Sequence, residues 1–206
     1  MPAYATLAEL KQFTGIPDAD TADDDVLELA LDSASAQVDA FCDRTFNAEG
    51  VATSRDYILN TNSPAYLDVE PISSTTGLVV ATDQDNDGVF ETTWVLGTDY
   101  RLEPINAAAA GVPWTRIVPL GTRWFPRLPY RPGVRVTAKF GWPGGTAPAP
   151  VKHAVLIQAS RLFKRKDAPF GVAGSVEFGS EIRLLAKLDP DVETLVRPYR
   201  RNWWVA

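Results

Sequence analysis

One cysteine and one histidine stand among 206 residues, and each scarcity removes a class of chemistry. A lone Cys42 forms no intrachain disulfide, and the cysteine patterns of zinc ribbons, redox dithiols and secreted scaffolds are missing. A lone His153, beside Lys152, has no second ligand or orienting carboxylate near it in sequence. Zinc clusters and Ser-His-Asp triads therefore have nothing to rest on, and the histidine reads as a surface or interface residue. A phosphate-cradling glycine loop with lysine, a GxSxG elbow and an HExxH helix are absent as well. The reading is that of a protein without enzymatic activity. No run approaches the roughly 20 apolar residues of a membrane span, and Met1 to Lys11 has neither a basic n-region nor an apolar h-region. The expectation is a soluble protein made in the cytoplasm.

What is present can fill a core. Hydrophobic residues make up 45% of the chain and charged ones 22%, unlike disordered chains, which combine low hydrophobicity with high net charge. The net charge of -6 hides a strong division. Residues 1–100 sum to -16 and residues 101–206 to +10. Such asymmetry fits an acidic and a basic face that meet when one copy packs head-to-tail on the next. It fits equally two solvated surfaces, or pairing within one chain.

The chain opens with Thr6-Leu7-Ala8-Glu9, a capping box in which the threonine hydroxyl and the glutamate satisfy each other's orphan N–H groups. Leu7, Leu10 and Phe13 follow at helical spacing, and Gly15 and Pro17 end the segment. Asp23, Asp24 and Asp25 then place negative charge at the positive end of a second helix reaching about Asp43. Its wheel puts Val26, Leu27, Ala30, Leu31, Ala34, Val38, Phe41 and Cys42 on a core face. Glu28, Asp32, Ser35 and Asp39 form an opposite, acidic stripe.

From about Arg55 to Lys139 the period shortens to that of strands. Expected strands are 55–59, 65–69, 77–82, 89–95, 100–103, 115–118 and 134–140, with a hairpin joining Leu78-Val79-Val80 to Phe90 through Trp94. Four prolines between Ala107 and Arg131 predict an irregular, exposed excursion. Pro148 and Pro150 mark the return to helix, which runs to about Lys166 and is wide enough in its apolar arc to pack on two sides. Residues 167–180 read as a glycine-containing loop that exposes Phe170 and Val172, and a last helix is expected at about 191–199. The fold class is α+β: a small helical bundle of two N-terminal and further C-terminal helices (1–48 and 150–206), with an antiparallel β-rich domain (49–149) inserted.

Three strings invite a binding function. Asp83, Asp85 and Asp87, followed by Gly88, begin like a calcium loop, because hard oxygen ligands at alternate positions converge when the backbone curls. The twelfth position, which needs a bidentate Glu, is Trp94, and strands rather than helices flank the loop. An Asp/Gly-rich hairpin turn accounts for the same residues without a metal. Arg116, Arg123, Arg127, Arg131 and Arg135, interleaved with Trp124, Phe125 and Tyr130, have the composition of a phosphate track with stacking rings, although a pI of about 4.8 argues against binding of free nucleic acid. Trp203 and Trp204, adjacent near a basic chain end, are candidate anchors for a partner's groove.

The opening Tyr4-Ala5-Thr6-Leu7-Ala8-Glu9-Leu10-Lys11, the acidic turn and the helix ending Val38-Asp39-Ala40-Phe41-Cys42-Asp43-Arg44 resemble the head-to-tail connector (adaptor) proteins of long-tailed bacteriophages. The segment from Val151 to Lys166, the loop after it, and Leu188-Asp189-Pro190 through Tyr199-Arg200-Arg201 are similar to that family's last two helices. Compact members are helical and about half as long, so this chain departs from them by its β-rich segment. The resemblance implies a virion protein of the head-to-tail junction: a ring, usually of twelve copies, docked beneath the portal. The ring meets the next head-completion or tail protein and passes DNA without reading its sequence during packaging and ejection. Two different complementary surfaces close such a ring. Glu28, Asp32 and Asp39 are expected to face Arg161 and Lys164 of a neighbour, and Phe170, Val172, Trp203 and Trp204 to meet the portal. Two alternatives stay open. One is a calcium-stabilised module binding carbohydrate or protein through the Asp83 to Asp87 loop. The other is a nucleic-acid-handling protein using the arginine stretch.

Overall fold

The computed structural model describes residues 3–59, 65–128, 130–166, 172–173, 182–183 and 188–201. They fall into two compact units. One holds the chain up to Thr45 and again from Ala147, and the other runs from Phe46 to Thr146.

The first unit is helical. Helix α1 (Leu7–Thr14) starts at the expected capping box, with the Glu9 N–H donating to the Thr6 hydroxyl and the Thr6 N–H to Glu9, and it stops at Gly15 in the left-handed region. Helix α2 (Asp24–Cys42) ends with Asp43 at φ 52°, a conformation aspartate tolerates better than most residues. Helix α4 (Ala149–Lys164) packs along α2, α1 leans on both, and α5 (Pro190–Val196) covers α4. The shared core is Leu10, Leu27, Leu31, Ala34, Val38, Val151, Val155, Ala159, Val192 and Val196. The small residues let α2 and α4 approach closely. Lys11 is buried yet satisfied: its Nζ meets an Asp24 carboxylate oxygen at 2.5 Å and donates to the Asp18 and Asp20 carbonyls, tying down the α1–α2 turn. The chain's return is fastened to α2, because the Arg201 N–H donates to the Cys42 carbonyl at 2.9 Å.

The second unit is an antiparallel sheet of β1 (Thr53–Tyr57), β2 (Leu67–Thr82), β3 (Thr92–Trp94), β4 (Tyr100–Glu103), β5 (Trp114–Pro119) and β6 (Val134–Phe140). The order is β1-β6-β2-β5-β4, with β3 also on β2. In β6 alternate residues Val134, Val136, Ala138 and Phe140 are buried, the period-2 signature of a sheet with one covered face. The expected hairpin is present, pairing Val80 with Trp94 and Thr82 with Thr92.

Two expectations in this unit need correction. The strands anticipated at 65–69 and 77–82 are one continuous strand. It crosses Pro71 with a register shift against β5 between Asp68 and Ile72 and shifts again against β6 between Ile72 and Val79, so the irregularity is absorbed as bulges rather than a break. The excursion expected between Ala107 and Arg131 is largely built into the domain. Ala107–Ala110 makes a single helical turn, α3, and β5 is an interior strand bonded to both β2 and β4. Phe125 is buried, stacked on Trp94 at 5.0 Å between centroids. Prolines interrupt a strand's own donors but do not prevent a neighbouring loop from supplying a core ring. Trp124 and Tyr130 are exposed, as expected there.

In addition, Val172–Ala173 (β7) and Ile182–Arg183 (β8) form a two-stranded pair.

Candidate subunit-interface surface

The outer face of α2 decides what this helix offers. Leu27, Ala30, Leu31, Ala34 and Val38 are buried, whereas Asp25, Glu28 and Asp32 are exposed. Leu29 projects among them with 67% of its surface open. At 100° per residue Asp25, Leu29 and Asp32 lie within about 60° of one another on that face, so the stripe is an apolar knob with an acidic surround. The wheel placed Val26 in the core, but it is exposed, and the prominence of Leu29 was not anticipated.

The stripe is also narrower than the wheel implied. Ser35 is buried, accepting a hydrogen bond from the Tyr4 N–H and donating to the Leu31 carbonyl. Asp39 accepts from the Tyr4 hydroxyl at 2.5 Å. Burial pushes the Asp39 carboxyl up to about 6, although the Tyr4 hydrogen bond works in the opposite direction. Between the start of the chain and the outer face, Ala3, Ala5, Leu7, Glu28, Leu31 and Asp32 line a hollow of about 210 Å³.

On the basic side, Arg161 is held by Asp189 of its own chain at 2.8 Å. Its charge is therefore already matched, as is that of Lys152 by Glu9 at 2.6 Å and that of Lys166 by Asp23 at 2.5 Å. Lys164 is exposed and pairs with no carboxylate among the described residues. A second hollow of about 350 Å³ opens between α2 and α4, lined by Gln37, Ala40, Phe41, Gln158, Leu162, Arg165 and Leu188. Gln158 is buried and bonds to Gln37 through its amide nitrogen at 2.7 Å, while its Oε1 has no hydrogen-bond partner among the described residues. Arg200, also exposed, lies over the Phe41 ring at 5.5 Å.

The charge division of the sequence is closed in part within the chain. Lys152–Glu9 and Lys166–Asp23 join the halves in the helical unit, and Arg116–Asp68, Arg123–Asp99 and Arg135–Asp56 join them in the sheet unit. The Arg135 guanidinium holds the Asp56 carboxyl below the usual range. Asp99 is lowered first by the Val95 N–H and then by Arg123. Three of the five arginines of the expected phosphate track are thus ion-paired within the chain: Arg116 and Arg135 join adjacent strands, and Arg123 joins the loop after β5 to the turn before β4.

The Asp83 to Asp87 loop is a tight hairpin. Asp83 is buried and its two carboxylate oxygens accept from the Asn86 and Gly88 N–H groups at 2.7 and 2.9 Å, with Asn86 and Gly88 both at positive φ. Carboxylate oxygens of Asp83, Asp85, Asp87 and Glu91 lie within 4.8 Å of one another, a set that could hold a hard cation such as calcium. Glu91 went unnoticed in the sequence because the calcium-loop template looks at the twelfth position, whereas here the hairpin folds the ninth residue back. His153 is exposed, its ring edge-on to Phe13. Phe170, Trp203 and Trp204 lie outside the described residues, and so does the side chain of Val172.

Residues 4–87 match the model of a family described as Phage gp6-like head-tail connector protein. The resemblance carried by the opening helices therefore stands, and the match extends into the sheet. No curated protein matches the chain. Among solved structures, a chain in the neck of an empty gene transfer agent (GTA) particle, computed with C6 symmetry, is 20% identical with a TM-score of 0.53, covering 96% of this chain and 89% of that one. A chain of the native GTA virion matches with the same figures. A chain in the neck of the native particle, computed with C12 symmetry, is 17% identical with a TM-score of 0.51, over 94% and 87%. The alignments cover nearly the whole chain, so the β-rich unit belongs to a fold that those neck chains share.

Proposed function

We propose that this protein is a head-to-tail connector: a structural virion component in the neck of a phage-like particle, repeated as a ring between portal and tail around the passage for DNA. The observation that carries this reading is the connector-family match over residues 4–87, joined to a fold shared along almost its full length with chains of GTA necks. Twelve copies is the number favoured by the family resemblance and by the C12 symmetry of one neck structure. A ring needs two unlike surfaces on each subunit. Glu28 and Asp32 supply one, and Lys164 belongs to the other. Asp39 and Arg161, expected at the same contact, also have partners within their own chain. The loop with Phe170 and Val172 and the tail with Trp203 and Trp204 are assigned to the portal, and the ring also meets the next head-completion or tail protein.

Electron microscopy of purified particles tests this reading. A collar of this chain below the portal supports it, and particles that hold a single copy, or none, overturn it. Deleting residues 202–206 is expected to abolish docking on the portal while leaving the fold intact. The competing reading, a calcium-stabilised binding module, draws on the four converging carboxylates. It requires a monomer whose melting temperature rises with calcium.

A further inference from the structure

We infer that the hollow between α2 and α4 is the socket for Leu29 of a second copy, so that successive connector subunits lock head-to-tail through an apolar knob ringed by opposite charges. This inference rests on the connector reading and gives its ring a specific contact.

The two surfaces match in shape and in charge. Leu29 is two-thirds exposed on a helix whose flanking leucines, Leu27 and Leu31, are buried. Around it stand Asp25, Glu28 and Asp32, exposed and paired with no cation among the described residues. The hollow, about 350 Å³, has an apolar floor of Ala40, Phe41, Leu162 and Leu188. Arg165 is the basic residue that lines it, exposed Lys164 precedes Arg165 on α4, and exposed Arg200 lies against the Phe41 ring that forms part of the floor. Gln158, 95% buried in its wall, leaves Oε1 without a donor among the described residues. Four other cations of this unit are already matched: Lys11 to Asp24, Lys152 to Glu9, Arg161 to Asp189 and Lys166 to Asp23. The acids around Leu29 thus have fewer candidates, and among these Arg165 and Arg200 stand at the hollow.

Knob and socket lie on one rigid element. Leu29 and Phe41 are twelve residues apart on α2, about 18 Å along its axis. Two different patches at a fixed offset produce a heterologous contact that repeats from copy to copy. An aliphatic anchor in a pocket, surrounded by charge pairs that set register, is the usual composition of a specific contact.

The test uses full-length chain in purified particles. Leu29→Cys combined with Leu162→Cys, treated with a short bis-maleimide, is expected to give a ladder of covalent multimers extending beyond the dimer, and Leu29→Cys alone is expected to give none. The native Cys42 is buried and contributes little background. Adding Glu28→Lys and Asp32→Lys should cut the ladder at least tenfold, and further adding Lys164→Glu and Arg200→Glu should restore it. Particles that hold many copies but give no ladder, or only dimers, overturn the socket and leave the connector reading intact. Particles without the chain overturn both. If the variants fail to enter particles, carbodiimide treatment of native particles decides: a Glu28 or Asp32 peptide joined to a Lys164 peptide of another copy supports the socket, and joins found only elsewhere refute it.

Discussion

The Tyr4 hydroxyl donates to the Asp39 carboxylate at 2.5 Å, binding the start of the chain to the last turns of α2 across thirty-five positions. The carboxyl is lifted from 3.8 to about 6 by burial, with the tyrosine pulling it partly back. Between about pH 4 and pH 6 the folded state therefore binds more protons at this site than the unfolded chain does. The Asp39 contribution to stability is greatest at low pH and declines as pH rises through that window. Asp39→Asn, which keeps an acceptor for Tyr4, is expected to remove this dependence and to be at least as stable as the parent at pH 7. Tyr4→Phe is expected to raise the Asp39 midpoint further. Urea unfolding of parent and variants at several values from pH 4 to pH 7 checks both, the difference between the chains isolating Asp39 from carboxylates such as Asp56 and Asp99 that titrate in the opposite sense.

Phe125 lies in a stretch whose sequence has no strand period, yet its ring stacks on Trp94 and only 1% of it is exposed. Phe125→Ala removes a core ring and leaves a cavity. The expected cost is about 3–5 kcal/mol, read from denaturant unfolding, with a red shift of tryptophan emission as Trp94 gains contact with water.

Gly141 sits at φ 120°, and a Cβ added there would come within 2.2 Å of the Asn47 carbonyl oxygen and 2.5 Å of the Ala48 Cα. Its N–H donates to the Pro71 carbonyl at 2.7 Å, so the backbone has little room to withdraw. Gly141→Ala combines backbone strain with a main-chain clash. It is expected to cost more than ~4 kcal/mol, seen as loss of soluble protein or a collapse of the melting temperature, whereas Gly144→Ala, with open space around it, should bear only the strain of its positive φ.

Asp83 closes its hairpin through two backbone N–H groups. Replacing one acceptor oxygen by an amide leaves a donor facing a donor, so Asp83→Asn is expected to cost about 1–3 kcal/mol in calcium and in chelator alike. With the loop already held by its own hydrogen bonds, millimolar calcium is expected to leave the melting temperature of the parent chain unchanged. A rise seen in the parent and absent in Asp83→Asn would identify the four carboxylates as a cation site.

Much of the helical unit was legible because its signals are local. Thr6 and Glu9 are three residues apart, Gly15 follows its helix directly, and the spacing of Leu27, Leu31, Ala34 and Val38 follows from one helical period. The same holds for Val134, Val136, Ala138 and Phe140 in β6. The interface surface was legible only in part. Glu28 and Asp32 face outward as the wheel implied, but a wheel places Ser35 and Asp39 beside them and cannot register that Tyr4 reaches back to both. Nor does it single out Leu29, since an apolar residue on a polar face acquires meaning only when its neighbours are known to be buried.

The sequence by itself determined where helices begin and end, which strand faces turn inward, that the chain is of mixed α+β class, and its likeness to head-to-tail connectors, all through interactions spanning a few residues. The tertiary structure decided which charges remain for a partner. Arg116 with Asp68, Arg135 with Asp56 and Arg161 with Asp189 meet across 28 to 79 positions, and opposite charges weaken steeply with distance in water. Whether a cation serves its own chain or another therefore depends on ångströms that only folding sets.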